Sequence, residues 1–348
     1  MNGKILHLLP SVGRFYKANL HTHTNVSDGD LSPEAVKAAY QAKGYSIIAY
    51  SDHEVCIPHP ELNDEDFVAL NAYELGINCR CPGRVDFKAY HFCLIAKDPA
   101  NACHVCYDPN YMYIGNCGNY TNQIEIHSEM RRTYSLECAN EVIRKANEAG
   151  YLVVYNHPNW SLQTREDYMG LQGLWGVEVY NHCCTMGGFE DSDPHVFEEL
   201  LRGGTMLYPV AADDSHHRSE SWFGGWVMVG AETLEYGAVI RALEQGAFYA
   251  STGPEISSLT LQNGILHVKC SPASRISVST AYRRAIVKFP ETEEILTEAE
   301  IDLHKWYFEP MADAPENPWF RVTVYGTDGT KAYTRAFTRE EVAACFEG

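Results

Sequence analysis

Short apolar runs alternate with helical periodicities over the first two thirds of the chain. YSIIAY (45–50), FVALNAY (67–73), FCLIA (92–96), YLVVY (151–155), GVEVY (176–180) and MLYPVAA (206–212) have the length and the β-branched and aromatic content of buried strands. Between several of them lie stretches with helix punctuation. SPEAVKAAYQAKG (32–44) offers Ser32 as cap, Pro33 at the first helical position and Gly44 as stop. SLECANEVIRKANEAG (135–150) repeats the logic with Ser135 and Gly150, and PHVFEELLRGG (194–204) ends in paired glycines. Strands alternating with helices predict a parallel α/β sheet or barrel.

The pattern changes after STGPEI. Residues 254–348 carry short alternating runs such as SLTL, ILHVKC and RISVST, and FRVTVYGTDGTKAYTRAF places a TDG turn between two strand-like arms. We therefore expect two domains: an α/β barrel over residues 1–253, with an insertion at about 78–132, and a small, β-rich, sandwich-like domain over 254–348.

A chain of 348 residues can bury a substantial core, and 45% hydrophobic with 21% charged residues is the composition of an ordinary globular protein. The net charge of −19 leaves no broad basic surface for nucleic acid or anionic membrane. An anionic substrate then needs a local positive field, and bound divalent metal is the obvious source. The opening MNGKILHLLPSVGRFYK is interrupted by His7 and Pro10 and lacks a small-residue cleavage site, and no run of about 18 uncharged apolar residues appears, so a cytoplasmic protein is expected. Twelve cysteines read accordingly as reduced, buried small hydrophobes. The alternative for Cys79, Cys81, Cys103 and Cys106, with His104 between the last pair and Cys117 beyond, is a structural zinc knot.

The metal-capable residues gain meaning from this frame. HTHTNVSDGD (21–30), taken alone, is two histidines on one face of a strand, with Gly29 supplying a sharp turn. Yet Asp52 and His53 end the next run in YSDH, Glu74 ends another in NAYEL, and His157 follows YLVVY in NHP. Glu178 and Asn181 sit in GVEVYN, and Asp213, Asp214, His216 and His217 close MLYPVAADDSHH. In a parallel barrel such C-terminal strand ends converge on one mouth. Neutral imidazoles bind divalent transition metals and carboxylates can bridge two of them, so the set predicts a multinuclear centre. His91 is out of step, because it precedes FCLIA; its strand is expected to be tilted or antiparallel.

These motifs occur in a fixed order: HTHTNVSDG with the following LSPEAV helix, YSDH, NAYELGI, HF at 91–92, NHP, DDSH and the exit phrase GAFYASTGP (246–254). Together they resemble the polymerase and histidinol phosphatase (PHP) superfamily of metal-dependent phosphoesterases, over about residues 14–253. The resemblance implies a distorted, TIM-like barrel of seven βα units carrying two or three metal ions. It implies His21, His23, Asp28, His53, Glu74, His91, His157, Asp214 and His216 as ligands, with Glu74 bridging. Family members carry either His or Asp at the place of Asp28, which bears on whether a third ion is held. Asp-x-His spacing selects Asp214 and His216 from the DDSHH run and leaves Asp213 as a supporting group.

The expected reaction is hydrolysis of a small phosphorylated molecule, a nucleotide, sugar phosphate or similar, by water activated on Zn, Mn or Fe. His21, His23, Glu74, Asp214 and His216 would form its catalytic centre, and a neighbouring His or Asp would protonate the leaving oxygen. Arg131, Arg132 and Arg218 are the candidate phosphate clamps. The Tyr-rich YDPNYMYIGNCGNY (107–120) reads either as a lid or as a packed loop. Competing classes are a multinuclear hydrolase of amide or C–O bonds, and a partner-binding protein whose barrel is auxiliary. Of the other histidines, His7, His59, His127, His195, His267 and His304 read as surface or half-buried. His182, His217, Asn156, Glu178 and Asn181 are candidate orienting groups.

Overall fold

In the computed structural model the described residues are 4–11, 13–79, 88–192, 194–217, 220–291, 295–309 and 318–346. The chain forms two compact units, one of Tyr16–Val227 and Thr233–Arg241, the other of Met1–Phe15, Met228–Glu232 and Ala242–Gly348.

The first unit is mixed α/β. Its sheet uses β1 (Arg14–Thr22), β2 (Tyr45–Tyr50), β3 (Val68–Asn78), β4 (Ala89–Ala96), β5 (Tyr151–Tyr155), β6 (Gly176–Asn181) and β7 (Tyr208–Ala212). β1, β2 and β3 are parallel neighbours, as are β5, β6 and β7. β4 lies antiparallel between β3 and β5, with Gly76 opposite His91 and Ala96 opposite Tyr151. Its inversion accounts for the odd histidine: the start of an antiparallel strand stands beside the C-terminal ends of its neighbours.

Among the described residues these strands do not make the closed barrel that the family resemblance implies. Beyond Ala212 the chain passes through Asp214 at φ 53°, a left-handed conformation that ends regular pairing. The outer strands meet instead at a single parallel bridge, Thr22 to Ser215. Beside it, Asp214 N–H donates to His21 O (2.9 Å) and His23 N–H to Ser215 O (3.0 Å).

Helix punctuation works as the sequence suggests. Ser32 caps α1 (Pro33–Gln41) by accepting from Ala35 N–H, and Ser135 caps α2 (Leu136–Glu148) by accepting from Cys138 N–H. Val36 and Tyr40 of α1, and Ala139, Val142, Ile143 and Ala146 of α2, are buried, with α1 packed on β2 and α2 on β5.

The Tyr-rich segment is a docked loop. Met112, Ile114, Tyr120 and Ile124 gather around Val26, Val55 and Cys117. Gly115, at φ 52°, permits the close approach, since a Cβ there would stand 2.1 Å from Ser27 O. Of the cysteine cluster, Cys81 lies outside the described residues. Among those described, no cysteine falls in a group of three or more potential metal ligands.

The second unit is built on the strand Ile265–Thr280, which pairs antiparallel with Ile256–Gln262, Ala285–Lys288, Leu296–Asp302 and Trp319–Gly326. Asn263 (φ 48°) and Gly264 (φ 72°) make the two-residue turn of its first hairpin. The TDG turn joins Trp319–Gly326 to its antiparallel partner Lys331–Thr334. Leu266, Trp306 and Phe320 fill the core, Trp306 coming from a short helix, His304–Phe308, that the strand pattern does not foretell. No helix among the described residues is long and apolar enough to cross a membrane.

Candidate metal centre

His21 and His23 project from one face at the end of β1, and both are almost wholly buried. The loop after them is fixed by Asp52, which accepts from Thr24 N–H and Oγ1 (both 2.7 Å) and from Ser27 N–H (3.1 Å) and Oγ (2.7 Å). With four donors on two oxygens, Asp52 shapes this loop. Gly29 serves a close approach instead of a left-handed turn: a Cβ there would lie 2.7 Å from the His23 carbonyl.

Glu74 occupies the centre of the cluster. Its Oε1 lies 3.1 Å from His91 Nδ1, 3.2 Å from His157 Nε2 and 3.4 Å from His21 Nε2. Its Oε2 lies 3.1 Å from His53 Nδ1 and 3.5 Å from His23 Nε2. Asp214 Oδ1 is 3.0 Å from His23 Nε2 and 3.3 Å from His21 Nε2, and Asp28 Oδ2 is 3.3 Å from His216 Nε2. Three overlapping groups have the spacing to hold an ion: His23, Asp28, His53 and His216; His21, Glu74 and His157; and His21, His23 and Asp214. His91 is outside these groups but touches Glu74.

The donor chemistry suits divalent cations. His21 Nε2 and His23 Nε2 stand only 3.2 Å apart, His23 Nδ1 is buried without a hydrogen-bond partner, and His53 Nδ1 lies 3.1 Å from Glu74 Oε2 without hydrogen-bond geometry. Buried nitrogen lone pairs turned on one another and on carboxylates are costly unless a cation organises them. Proton equilibria show the same crowding. Burial disfavours a charged His21, yet Asp214, with Cys93, Glu74 and Glu178, holds its pKa well above the usual range. Against burial, His157 rises to about 9 through Glu74 and Asp214, and His216 to about 11 through Asp28 and Cys183. His53 falls to about 3, through burial and the charge of His23. Burial would raise the carboxyls of Glu74, Asp214 and Asp28, but the surrounding imidazoles hold all three below the carboxylate range.

Supporting groups fix the candidate ligands. Glu178 Oε1 lies 2.7 Å from His21 Nδ1, and its Oε2 accepts from His157 N–H (2.8 Å) and Asn181 Nδ2 (2.9 Å). Asn181 also donates to Asp214 Oδ2 (3.1 Å), and Asn156 donates to Glu74 Oε1 (2.8 Å). Ser161 Oγ pairs with His157 Nδ1 (3.1 Å), and His217 Nε2 donates to His23 O (2.8 Å). Asp213 turns away, accepting from Tyr40 Oη and from the N–H groups of Phe223, Gly224 and Gly225, so it is Asp214 of the DDSHH run that faces the cluster. His182 bonds Tyr180 Oη and Glu220 O instead. Left-handed backbone recurs here, at Glu54 (62°), His157 (25°), Asp214 (53°) and His217 (61°).

The arginines behave differently from expectation. Arg132 is no phosphate clamp: its buried guanidinium forks onto Glu54 (2.6 and 3.0 Å) and donates to Gly76 O (2.8 Å). The reason is Glu54 itself, a fully buried carboxylate next to His53 that requires a counter-charge. Arg131 is exposed and lines a separate cavity with Asp108 and Asn110, and Arg218 lies outside the described residues. Sequence reasoning missed Glu54; its one signal is a third ionisable residue in DHEVCI, ahead of an apolar run. A cavity of about 670 Å³ opens on Asp28, His53, Glu74, His91, His157, Asp214 and His216.

No model of a known protein family matches the chain, and no curated protein matches it. Three solved structures are distantly similar. A two-domain protein from Bacteroides vulgatus, described as containing a predicted PHP-like metal-dependent phosphoesterase, is 14% identical with a TM-score of 0.44, over 95% of this chain and 98% of its own. An amidohydrolase from Chromobacterium violaceum, with bound sulfate and no metal, is 18% identical with a TM-score of 0.38, over 59% of this chain and 89% of its own. A protein from Bifidobacterium adolescentis, named for metal-dependent phosphoesterase activity, is 17% identical with a TM-score of 0.39, over 68% of this chain and 96% of its own. The functional reading rests on the residues of this chain.

Proposed function

We propose that this chain is a metal-dependent phosphoesterase of the PHP type, with its mixed α/β unit as the metal-binding unit, acting on a phosphate ester of a small molecule. The observation that supports this most is Glu74, a buried carboxylate whose two oxygens face separate imidazole sets beside a cavity. Such a donor set, all nitrogen and oxygen, suits two or three first-row ions such as Zn, Mn or Fe. His21, Glu74 and His157 would hold one, His23, Asp28, His53 and His216 another, and Asp214 would join His21 and His23, with His91 against Glu74.

Bound ions of this kind supply Lewis acidity towards a phosphoryl oxygen and generate a nucleophile from water near neutral pH. The chain's own groups do the positioning. Glu178 and Ser161 set the ring planes of His21 and His157, while Asn156 and Asn181 hold the carboxylates of Glu74 and Asp214. Donors fixed this way need no reorganisation as charge develops. Water supplies the new P–O bond, the P–O bond to the alcohol breaks, and no protein nucleophile is required.

A second reading, hydrolysis of an amide or C–O bond, draws support from the scarcity of cations: Arg132 is committed to Glu54, and Lys88 at the cavity pairs with Asp167 at 2.6 Å. Assay of metal-loaded protein against phosphate mono- and diesters, amides and lactones separates the two. Ester turnover that requires metal and disappears in Glu74→Gln is the expected result. Turnover of amides or lactones alone would overturn it.

A further inference from the structure

The cavity beside the metal cluster has a mixed lining. Besides the candidate ligands it includes apolar side chains, Trp160, Leu162 and Phe189 at 40, 44 and 38% exposure and Ile114 from the docked loop. Large apolar side chains that line one concave surface together mark a ligand-binding groove. Trp160 is also held firmly. Buried Asp191 accepts the N–H groups of both Asn159 (2.9 Å) and Trp160 (2.7 Å), and the indole centroid lies 4.9 Å from the ring of His157 and 5.6 Å from that of His91. A ring laid on this indole would be joined to a group at the ligands by a link of only a few atoms.

Resting on the phosphoesterase reading, we propose that the substrate is a monophosphate ester whose alcohol carries a flat aromatic group, seated on Trp160 in the cavity that Leu162 and Phe189 also line. Polyhydroxylated and polyanionic esters fit poorly. Beside Trp160, Ser161 Oγ is engaged with His157 and Lys88 with Asp167, so sugar hydroxyls seated against the indole would give up water for few partners. Lys88 is the one lysine or arginine among the described residues lining the cavity, while Asp28, Glu74 and Asp214 face it with negative charge. A second phosphate distant from the ligands would meet no matching field. The cavity's 670 Å³ accommodates a fused ring and one phosphoryl group.

The test compares benzyl phosphate and 2-naphthylmethyl phosphate with glycerol 1-phosphate and a sugar bisphosphate, all esters of alcohols similar enough that leaving-group acidity does not set the order. We expect kcat/KM for the naphthylmethyl ester to exceed that for glycerol phosphate by about tenfold or more. Trp160→Ala should bring the ratio close to one, and Trp160→Phe should largely keep it. Separately, 2-naphthylmethylphosphonate should bind metal-loaded protein by calorimetry, with Kd about tenfold weaker in Trp160→Ala. Preference for the glycerol or bisphosphate ester, or an unchanged ratio and Kd in a folded Trp160→Ala protein, would overturn the proposal. If no ester is cleaved yet phosphonate binding depends on Trp160, the hydrolase reading fails and the aromatic site stands.

Discussion

Glu178 Oε1 sits 2.7 Å from His21 Nδ1, which leaves His21 Nε2 directed at Glu74 and Asp214. The carboxylate selects the tautomer and the ring plane of a candidate ligand it never shares an ion with. Glu178→Gln should retain the fold and lose metal affinity by roughly 10- to 100-fold. Metal retention during dialysis against a graded chelator series measures this; unchanged retention would assign Glu178 a purely structural role.

His23 lies in two of the three overlapping ligand groups. His23→Ala should therefore remove at least one equivalent of bound metal and lower ester hydrolysis by orders of magnitude, with the thermal transition still cooperative. His127→Ala, at an exposed position, is the matched control and should change neither. Elemental analysis together with a melting curve decides the outcome.

The buried pair of Glu54 and Arg132 gives a pH signature. Burial alone would raise the Glu54 carboxyl, but Arg132 and His104 bring it down to about 2 from an ordinary 4.5. A pKa depressed by folding contributes stability that is fully present above about 4.5 and is lost as pH falls towards 2, on the order of 3 kcal/mol. Arg132→Met should destabilise by roughly 3–5 kcal/mol, because it strands a buried charge, whereas Glu54→Gln with Arg132→Met should cost less than the single change. Urea titrations at pH 7 and pH 3.5 test both: the double variant should lose less stability on acidification than the parent.

Gly29→Ala introduces a methyl group 2.7 Å from the His23 carbonyl, on backbone that has no easy retreat because Asp52 and His217 hold both flanks of that turn. Destabilisation of about 1–3 kcal/mol is expected. Hydrolysis should fall by more than the unfolded fraction explains, since Asp28 and His23 move with the turn.

Much of the candidate site was legible because its signals are local. Strand ends are marked by apolar runs of fixed period, and an imidazole or carboxylate at each end reports the mouth they share. Asp28, Asp52, Asp213 and Asp214 are another matter: all lie within five residues of a histidine in sequence, and only the count of N–H and O–H donors on each tells a loop-shaping carboxylate from one facing the cluster. The direction of β4 depends on pairing between distant segments, and His91 gave the sole hint of it. Arg132 meets Glu54 across 78 positions, and nothing local to either residue reveals the partnership. The same long range hid the apolar lining, because Trp160, Phe189 and Ile114 share a cavity in space alone.

The inversion of β4 has a consequence for how such a protein can diversify. Ala96 pairs with Tyr151, so the chain leaves β4 and re-enters β5 at the same edge of the sheet. The stretch between them, up to α2, is an appended arm, not an obligatory crossover, and it can vary in length without reordering the strands that carry the candidate ligands. The lining of the cavity, to which Ile114 of this arm contributes, can thereby change while those strand ends stay put. One condition travels with any replacement: the new arm must bring a cation to Glu54, or Glu54 must change with it.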